Sequence, residues 1–412
     1  MRLPLRLTLS GLALAGLLAS TAARADFTIP GYELVQTAPI ETTLSNADLR
    51  GPLAVWSQLF DNAKSEIVLG QFYAVNKAGA PFAQVVDKLA QAGKRGVKIR
   101  FLLDKKGVGL SEAATLAQLR AIPNLELRIL DYSDLTGNGI IHAKYLAVDG
   151  KAAYIGSQNF DWRSFSHIHE TGLLITDPVV VKQVVATFEQ DWQAQGLIAA
   201  HQAVPKRVAV AENAAMTAPA AQLLASPAAF NVPGVADSEA TLPALLGAAQ
   251  SEVRVQLLDY APLSYGPNGT RPYYAVIDTA LRAAASRGVH IKLMVSNWNL
   301  EQPGLAYLKS LALVPNVEIR IVTLPMASSG PIPFARVIHS KTMSIDGKLA
   351  WVGTSNWLGG YFDKSRNFEV VLRNEKMAQR LAALHEQTWS SAYAQPLDVM
   401  KIYPKPNKGG GE

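Results

Sequence analysis

Two stretches of this sequence share the pattern H-x-K-x-x-x-x-D: His142 to Asp149 with Lys144, and His339 to Asp346 with Lys341. Residues two apart on an extended strand project from the same face, so each histidine would stand beside a fixed positive charge. Imidazole serves as nucleophile or as proton carrier near neutral pH, and an ammonium group beside it suits an anionic substrate. Seventeen residues beyond each histidine an amide closes a turn of small residues, Asn159 in Gly156-Ser157-Gln158-Asn159 and Asn356 in Gly353-Thr354-Ser355-Asn356. An asparagine there can donate to a phosphoryl oxygen. A carboxylate follows in each stretch, Glu170 and Glu369. Accepting a hydrogen bond from one imidazole nitrogen, it would fix the tautomer and leave the other nitrogen free to attack. The two aspartates precede glycine, in Asp149-Gly150 and Asp346-Gly347, and then a second apolar run. Each therefore either closes a tight hairpin or takes part in the chemistry.

Of the seven histidines, His290, His201 and His385 read as surface residues, whereas His167 and His169, next to Glu170, are candidates for lining the site. The aromatic loop over 260–274, with Tyr265, Tyr273 and Tyr274, could stack on bases, rest on acyl chains or simply pack at a rim.

The elements that must position these residues are themselves duplicated. Ser65-Glu66-Ile67-Val68-Leu69 returns as Ser251-Glu252-Val253-Arg254-Val255, and Arg95-Gly96-Val97-Lys98-Ile99 as Arg287-Gly288-Val289-His290-Ile291. Pro123 to Ile129 returns as Pro315 to Ile321, at a constant 27 residues from the Arg-Gly glycine. Short β-branched runs alternate with helical stretches over 82–93 and 274–287, the pattern of strand–helix crossovers and a largely parallel sheet. Each Arg-Gly ends a helix, because glycine takes the left-handed cap conformation cheaply. The expected organisation is a first repeat over 26–200, a connection over 201–237, a second repeat over 238–403 and a disordered Lys/Pro/Gly tail over 404–412.

The chain has 412 residues, 49% hydrophobic and 17% charged, enough apolar material for a large core. Arg2 and Arg6, the apolar run over 7–19 and Ala23-Arg24-Ala25 read as a cleavable export signal over 1–25, so a periplasmic or secreted protein is expected. Losing Arg2, Arg6 and Arg24 lowers the formal charge from +6 to +3, which does not choose between lipid and nucleic acid. The absence of cysteine excludes disulfides, thiolate catalysis and cysteine-based zinc sites.

The paired motifs resemble those of the phospholipase D superfamily, over about 53–389. Asn159-Phe160-Asp161-Trp162-Arg163-Ser164, the run Gly353 to Phe362, and Ile332-Pro333-Phe334-Ala335-Arg336-Val337 are similar to the animal lysosomal branch, whose members act as 5′ exonucleases on single strands, and to poxvirus envelope phospholipases. The chain departs from that branch in lacking cysteines and in Leu358 and Gly360. The resemblance implies an α/β fold of two similar repeats, each a mixed, largely parallel sheet flanked by helices, related by a pseudo-twofold axis. It implies that His142 attacks phosphorus to give a phosphohistidine while His339 protonates the leaving oxygen and then activates water. Lys144, Lys341, Asn159 and Asn356 would hold the non-bridging oxygens, with no metal and no cofactor. A phosphodiester substrate is expected, phospholipid first and single-stranded nucleic acid as the alternative, with peripheral membrane contact, no obligate protein partner and a complete site in a monomer. Two further readings are a phosphatidyl transferase and a non-catalytic binding protein. The transferases of this superfamily usually carry membrane helices, and no second apolar segment of spanning length appears.

Overall fold

The computed structural model describes residues 26–206 and 219–408. The export signal expected over 1–25 lies outside the described residues, as do 207–218 of the expected connection and 409–412 of the tail.

Two mixed sheets carry the two motifs. The first has eight strands in the order Thr28–Ile29, Tyr32–Thr37, Glu170–Ile175, Ala152–Gly156, Tyr145–Val148, Glu66–Gln71, Lys98–Asp104 and Leu125–Leu130. The second has nine: Ala236–Asp237, Ala221–Ser226, Asn367–Leu372, Leu349–Gly353, Thr342–Ile345, Glu252–Leu257, His290–Ser296, Val317–Val322 and Ala394–Pro396. In each sheet the three strands that carry the repeated landmarks pair in parallel. Most of the remaining pairs are antiparallel. The expectation of largely parallel sheets thus holds only where helices make the crossovers; a two-residue turn can join only antiparallel neighbours.

Both Arg-Gly pairs end helices as expected. Gly96 and Gly288 take φ of 89° and 93°, and the following Val97 and Val289 reach back to the carbonyls of Ala92 and Ala284. The stretch expected to be a plain connection instead contributes Ala221–Ser226, which pairs with Asn367–Leu372, and Ala236–Asp237.

Alternation along the strands decides which core each residue joins. In Tyr145–Val148, Tyr145 and Ala147 enter a core shared by both sheets, whereas Leu146 and Val148 pack under the outer helices of the first repeat. The shared core takes Leu173 and Ile155 from one sheet and Val352, Phe368 and Val370 from the other. Two long helices, Pro178–Ala199 and Glu375–Trp389, add Val184, Phe188 and Trp192 and Met377, Leu381 and Leu384. Because this core belongs to neither repeat alone, the segments that carry His142 and His339, just before the strands Tyr145–Val148 and Thr342–Ile345, are held against the opposite repeat through the bridges of Ile141 with Arg366 and of Ile338 with His169. Among the described residues, no helix is long and apolar enough to cross a membrane.

Both aspartates of the motifs are structural. Asp149 and Asp346 occupy the left-handed first position of Asp-Gly hairpins, with φ of 53°. Asp149 accepts the backbone N–H of Lys64, Ser65 and Glu66 and the hydroxyl of Ser65; Asp346 accepts those of Gln250, Ser251 and Glu252 and the Ser251 hydroxyl. Each carboxylate thereby sews its hairpin to the first crossover strand, away from the histidines. The donors hold Asp149 down to about 2 against the opposing effect of burial. Its contribution to stability is therefore complete above the ordinary aspartate range and is lost as the pH falls through 2. Asp149→Asn turns an acceptor facing the Lys64 N–H into a donor. In urea melts at pH 7 it should lose about 1–3 kcal/mol, while kcat stays at the parent value; a drop in kcat without loss of stability would return Asp149 to the chemistry.

Candidate active site

Each repeat holds the other's histidine. The carbonyl of Arg366 accepts the N–H groups of His142 (2.9 Å) and Ala143 (2.8 Å), and the carbonyl of His169 accepts those of His339 (2.8 Å) and Ser340 (3.0 Å). Asp104 adds a third tie on the first side: it caps the short turn at Lys106 and Gly107 and accepts the N–H of Ile141 at 2.7 Å. A Cβ on Gly107 would lie 1.6 Å from the Phe72 carbonyl, so only glycine lets that turn pass beneath Phe72. Phe72 in turn packs against the His142 ring, with centroids 5.8 Å apart, and Tyr361 packs from the other repeat at 4.8 Å.

His142, His339, Asn159 and Asn356 meet at one pocket of about 340 Å³, walled by Phe72, Tyr73, Leu110, Arg163, Ile168, Leu258, Trp298, Phe334, Val337 and Tyr361. Lys144 and Lys341 lie beneath, fully buried, and each donates to the carbonyl of the histidine two residues before it, Lys341 at 2.6 Å. Burial pushes Lys341 down to about 7 and Lys144 well below the ordinary lysine range, the latter helped by Lys341. The carbonyl oxygens of Asn159 and Asn356 and one oxygen of Glu170 are buried without a partner within the protein, a cluster of unused polar capacity at a single place.

The two histidines have different partners. His339 Nδ1 meets Glu170 Oε1 at 2.7 Å across the repeat interface. Burial pushes Glu170 up while Lys341 pulls it down, and burial with the two lysines pushes His339 down. His142 Nδ1 instead meets the amide oxygen of Asn367 at 3.0 Å. The orientation of that amide is settled by its other bonds: Nδ2 donates to the Tyr361 carbonyl at 2.8 Å, and Oδ1 also accepts the Thr354 hydroxyl at 3.0 Å. Nδ1 of His142 therefore carries the proton and Nε2 presents a lone pair. Burial, Lys144 and Lys341 hold His142 well below the ordinary histidine range, which keeps it neutral at pH 7.

Glu369, expected at this position, does not reach His142. It lies fully buried, accepts the hydroxyls of Ser238 and Ser355, and is pushed up to about 7 by burial. The spacing shows why: Glu170 and Asn367 each stand 28 residues after their histidine, whereas Glu369 stands 30 after His339. Counting from the histidine rather than seeking an acid would have found Asn367. His169 holds its place by its carbonyl, while its ring sits between Gln36 and Gln256 and is pushed down to about 4 by burial. Neither it nor His167 is among the residues that line the pocket. His385, expected at the surface, is buried against Trp389 and Lys292, and burial pushes it down to about 3. Of the 260–274 loop, Tyr260 and Tyr274 are tied to Asp278 and Glu239, Tyr273 stacks on Tyr307, and only Tyr265 approaches the site, through Tyr361. Among the described residues, no three histidine or acidic side chains gather closely enough to hold a metal ion.

A floor of imidazole, ammonium and amide groups shared between duplicated α/β halves is chemistry suited to a phosphoester anion. The family model described as cardiolipin synthase, PLD-like domain, matches residues 57–192 and 244–389, and the chain belongs to the phospholipase D superfamily. It is 30% identical over 371 residues to phospholipase D Z of Dictyostelium discoideum, covering 83% of this chain and 85% of that protein. Over 388 residues it is 30% identical to the 5'-3' exonuclease PLD4 of Mus musculus, covering 84% and 75%. The phosphatidylserine synthase of Haemophilus influenzae Rd KW20 shares the fold, with a TM-score of 0.59 at 11% identity over 84% of this chain and 85% of that one. The protein is a phospholipase D-like phosphodiesterase.

Replacing the Asn367 amide by a carboxylate, Asn367→Asp, would favour the imidazolium of His142. The limb of the kcat/KM profile that needs neutral His142 should then move to higher pH, by about one unit or more. An unmoved profile would show that Asn367 does not set the state of His142.

Proposed function

We propose that this protein hydrolyses the phosphodiester bond of a phospholipid through a phosphohistidine on His142, in an exported location set by its N-terminal signal. The observation that carries the lipid reading is the contrast between floor and walls. Phosphate-binding groups are confined to the floor, and the walls offer Leu110, Ile168, Leu258, Val337, Trp298 and Phe334. Among the described residues the charged side chain on those walls is Arg163, which is tied to Asp161 and to the Pro333 carbonyl. Leu110 and Phe334, 57% and 51% exposed, offer hydrocarbon at the mouth. A single strand of nucleic acid carries a phosphate at every nucleotide and calls for a track of free cations; a phospholipid needs one phosphate site beside apolar surface.

The role of each imidazole follows from its partner. An amide oxygen orients His142 without stabilising positive charge, so Nε2 remains a neutral nucleophile; a carboxylate stabilises the imidazolium, so His339 carries the proton. A bound diester anion offsets the two lysines that depress both rings, and Glu170 directs the regained proton affinity to His339. Nε2 of His142 attacks phosphorus, the bond to the leaving oxygen breaks, and that oxygen takes the proton from His339. Water then gives a proton back to His339 and attacks phosphorus, breaking the P–N bond and releasing the phosphomonoester. Lys144, Lys341, Asn159 and Asn356 neutralise and orient the non-bridging oxygens throughout.

A second reading, a single-strand exonuclease, is favoured by the name of the mouse relative and by the rings of Phe72, Tyr73, Trp298 and Phe334, on which a terminal base could stack. The chain should release choline from phosphatidylcholine vesicles faster than it shortens 5′-labelled single-stranded DNA, with both activities measured in EDTA. Degradation of the DNA alone would overturn the lipid reading, and loss of all turnover in EDTA that zinc or magnesium restores would overturn the histidine mechanism. With radiolabelled bis(p-nitrophenyl) phosphate, whose leaving group departs without a proton, His339→Ala should still trap acid-labile, base-stable label and His142→Ala should trap none. The reverse pattern would exchange the two roles.

A further inference from the structure

The tail, expected to be disordered from residue 404, runs back to the mouth of the pocket. The carbonyl of Lys408 accepts the N–H of Phe334 at 2.9 Å, and its ammonium donates to Glu301 at 2.9 Å and lies 5.7 Å from the centre of the Trp298 ring. Lys405 reaches the same Glu301 at 3.4 Å. Upstream, Lys309 donates to the Lys401 carbonyl at 2.6 Å, and the Tyr403 hydroxyl accepts the N–H of Asp398 at 2.9 Å. Both residues that the strap grips, Trp298 and Phe334, are walls of the active-site pocket, with ring centroids 6.3 Å apart.

Phe334 is also strained. It has φ of 57° and Arg336 has 55°, the left-handed region that bulky side chains avoid. Such conformations persist only where surrounding contacts fix them. Arg336 is fixed by its N–H on the His167 carbonyl and its guanidinium on the carbonyls of Pro325 and Ile40. For Phe334, whose side chain is half exposed, the backbone tie is the Lys408 carbonyl.

Resting on the phosphodiesterase reading of this pocket, we propose that Pro404–Lys-Pro-Asn–Lys408 is a specificity-determining strap, which sets the Phe334 wall and so governs how tightly the site grips a bulky apolar group next to the scissile phosphate. A small diester that reaches only the floor does not sense it.

Three full-length variants test this: Lys408→Glu, Glu301→Lys, and the two combined, which exchanges the charges and restores their attraction. Backbone hydrogen exchange at Phe334 should speed up about tenfold in each single variant and return in the combined one. On dihexanoylphosphatidylcholine the single variants should raise KM about tenfold with kcat unchanged, while kcat/KM on methyl p-nitrophenyl phosphate stays within about threefold. The exchange of charges should recover KM. Unaltered exchange at Phe334, a parallel loss on both substrates, or an unmoved KM would each overturn the strap while leaving the phosphodiesterase reading intact, provided the parent turns over the small diester. A parent chain inactive on both substrates would overturn that reading and the strap with it.

Discussion

The rest of the structure depends on the backbone bonds that cross between the repeats. His142 lies just before its strand begins, and the Arg366 carbonyl fixes its backbone by holding two consecutive N–H groups, at His142 and Ala143. Arg366 is itself immobilised. All five of its guanidinium N–H bonds find acceptors: both oxygens of Asp191, the carbonyls of Ser226 and Phe230, and the side chain of Asn231. Removing either charge of a fully buried pair is far more damaging than the pair is stabilising, because the other is left without compensation. Asp191 lies on Pro178–Ala199, a helix of the first repeat, so the ion pair that fixes the second repeat's loop also fixes its distance from the first. On the other side the same task falls to His169, a neutral ring between two glutamine amides. Duplication supplied the geometry twice, and each copy found a different way to hold it.

That divergence extends to the chemistry. In an ancestral pair with identical halves, both histidines would have identical partners and no reason to act in order. Here one position 28 residues after the motif histidine holds a carboxylate and the other an amide. The amide is oriented by Tyr361 and Thr354, so its oxygen rather than its nitrogen faces His142. Small differences in hydrogen bonding, where burial already pushes both rings down, give the two imidazoles different proton affinities.

The sequence made the repeats, the floor residues and the crossover strands legible, because each rests on local pattern: two-residue alternation, a constant spacing, glycine caps. It misled where a residue type was taken as a proxy for a role. Glu369 drew attention as the acid of the second half, yet two residues along a strand carry it one step past the histidine's reach, into a site closed by Ser238 and Ser355. The aspartates of the motif were equally readable as turn or catalyst, and only tertiary contacts to residues 64–66 and 250–252 decide. Tail residues that look disordered by composition are ordered by one acid and one backbone N–H supplied from elsewhere in the chain. Long-range partners of that kind leave no trace in local pattern.

The charge count of the floor explains why it accepts a diester. Two lysines and one glutamate leave a single excess positive charge, in surroundings where burial drives both ammonium groups toward losing their protons. A phosphodiester carries one negative charge, so its arrival offsets that excess and favours the protonated form of both lysines. The energy of holding charge away from water is thus built in during folding and relieved on binding. An uncharged ester would leave the lysines uncompensated.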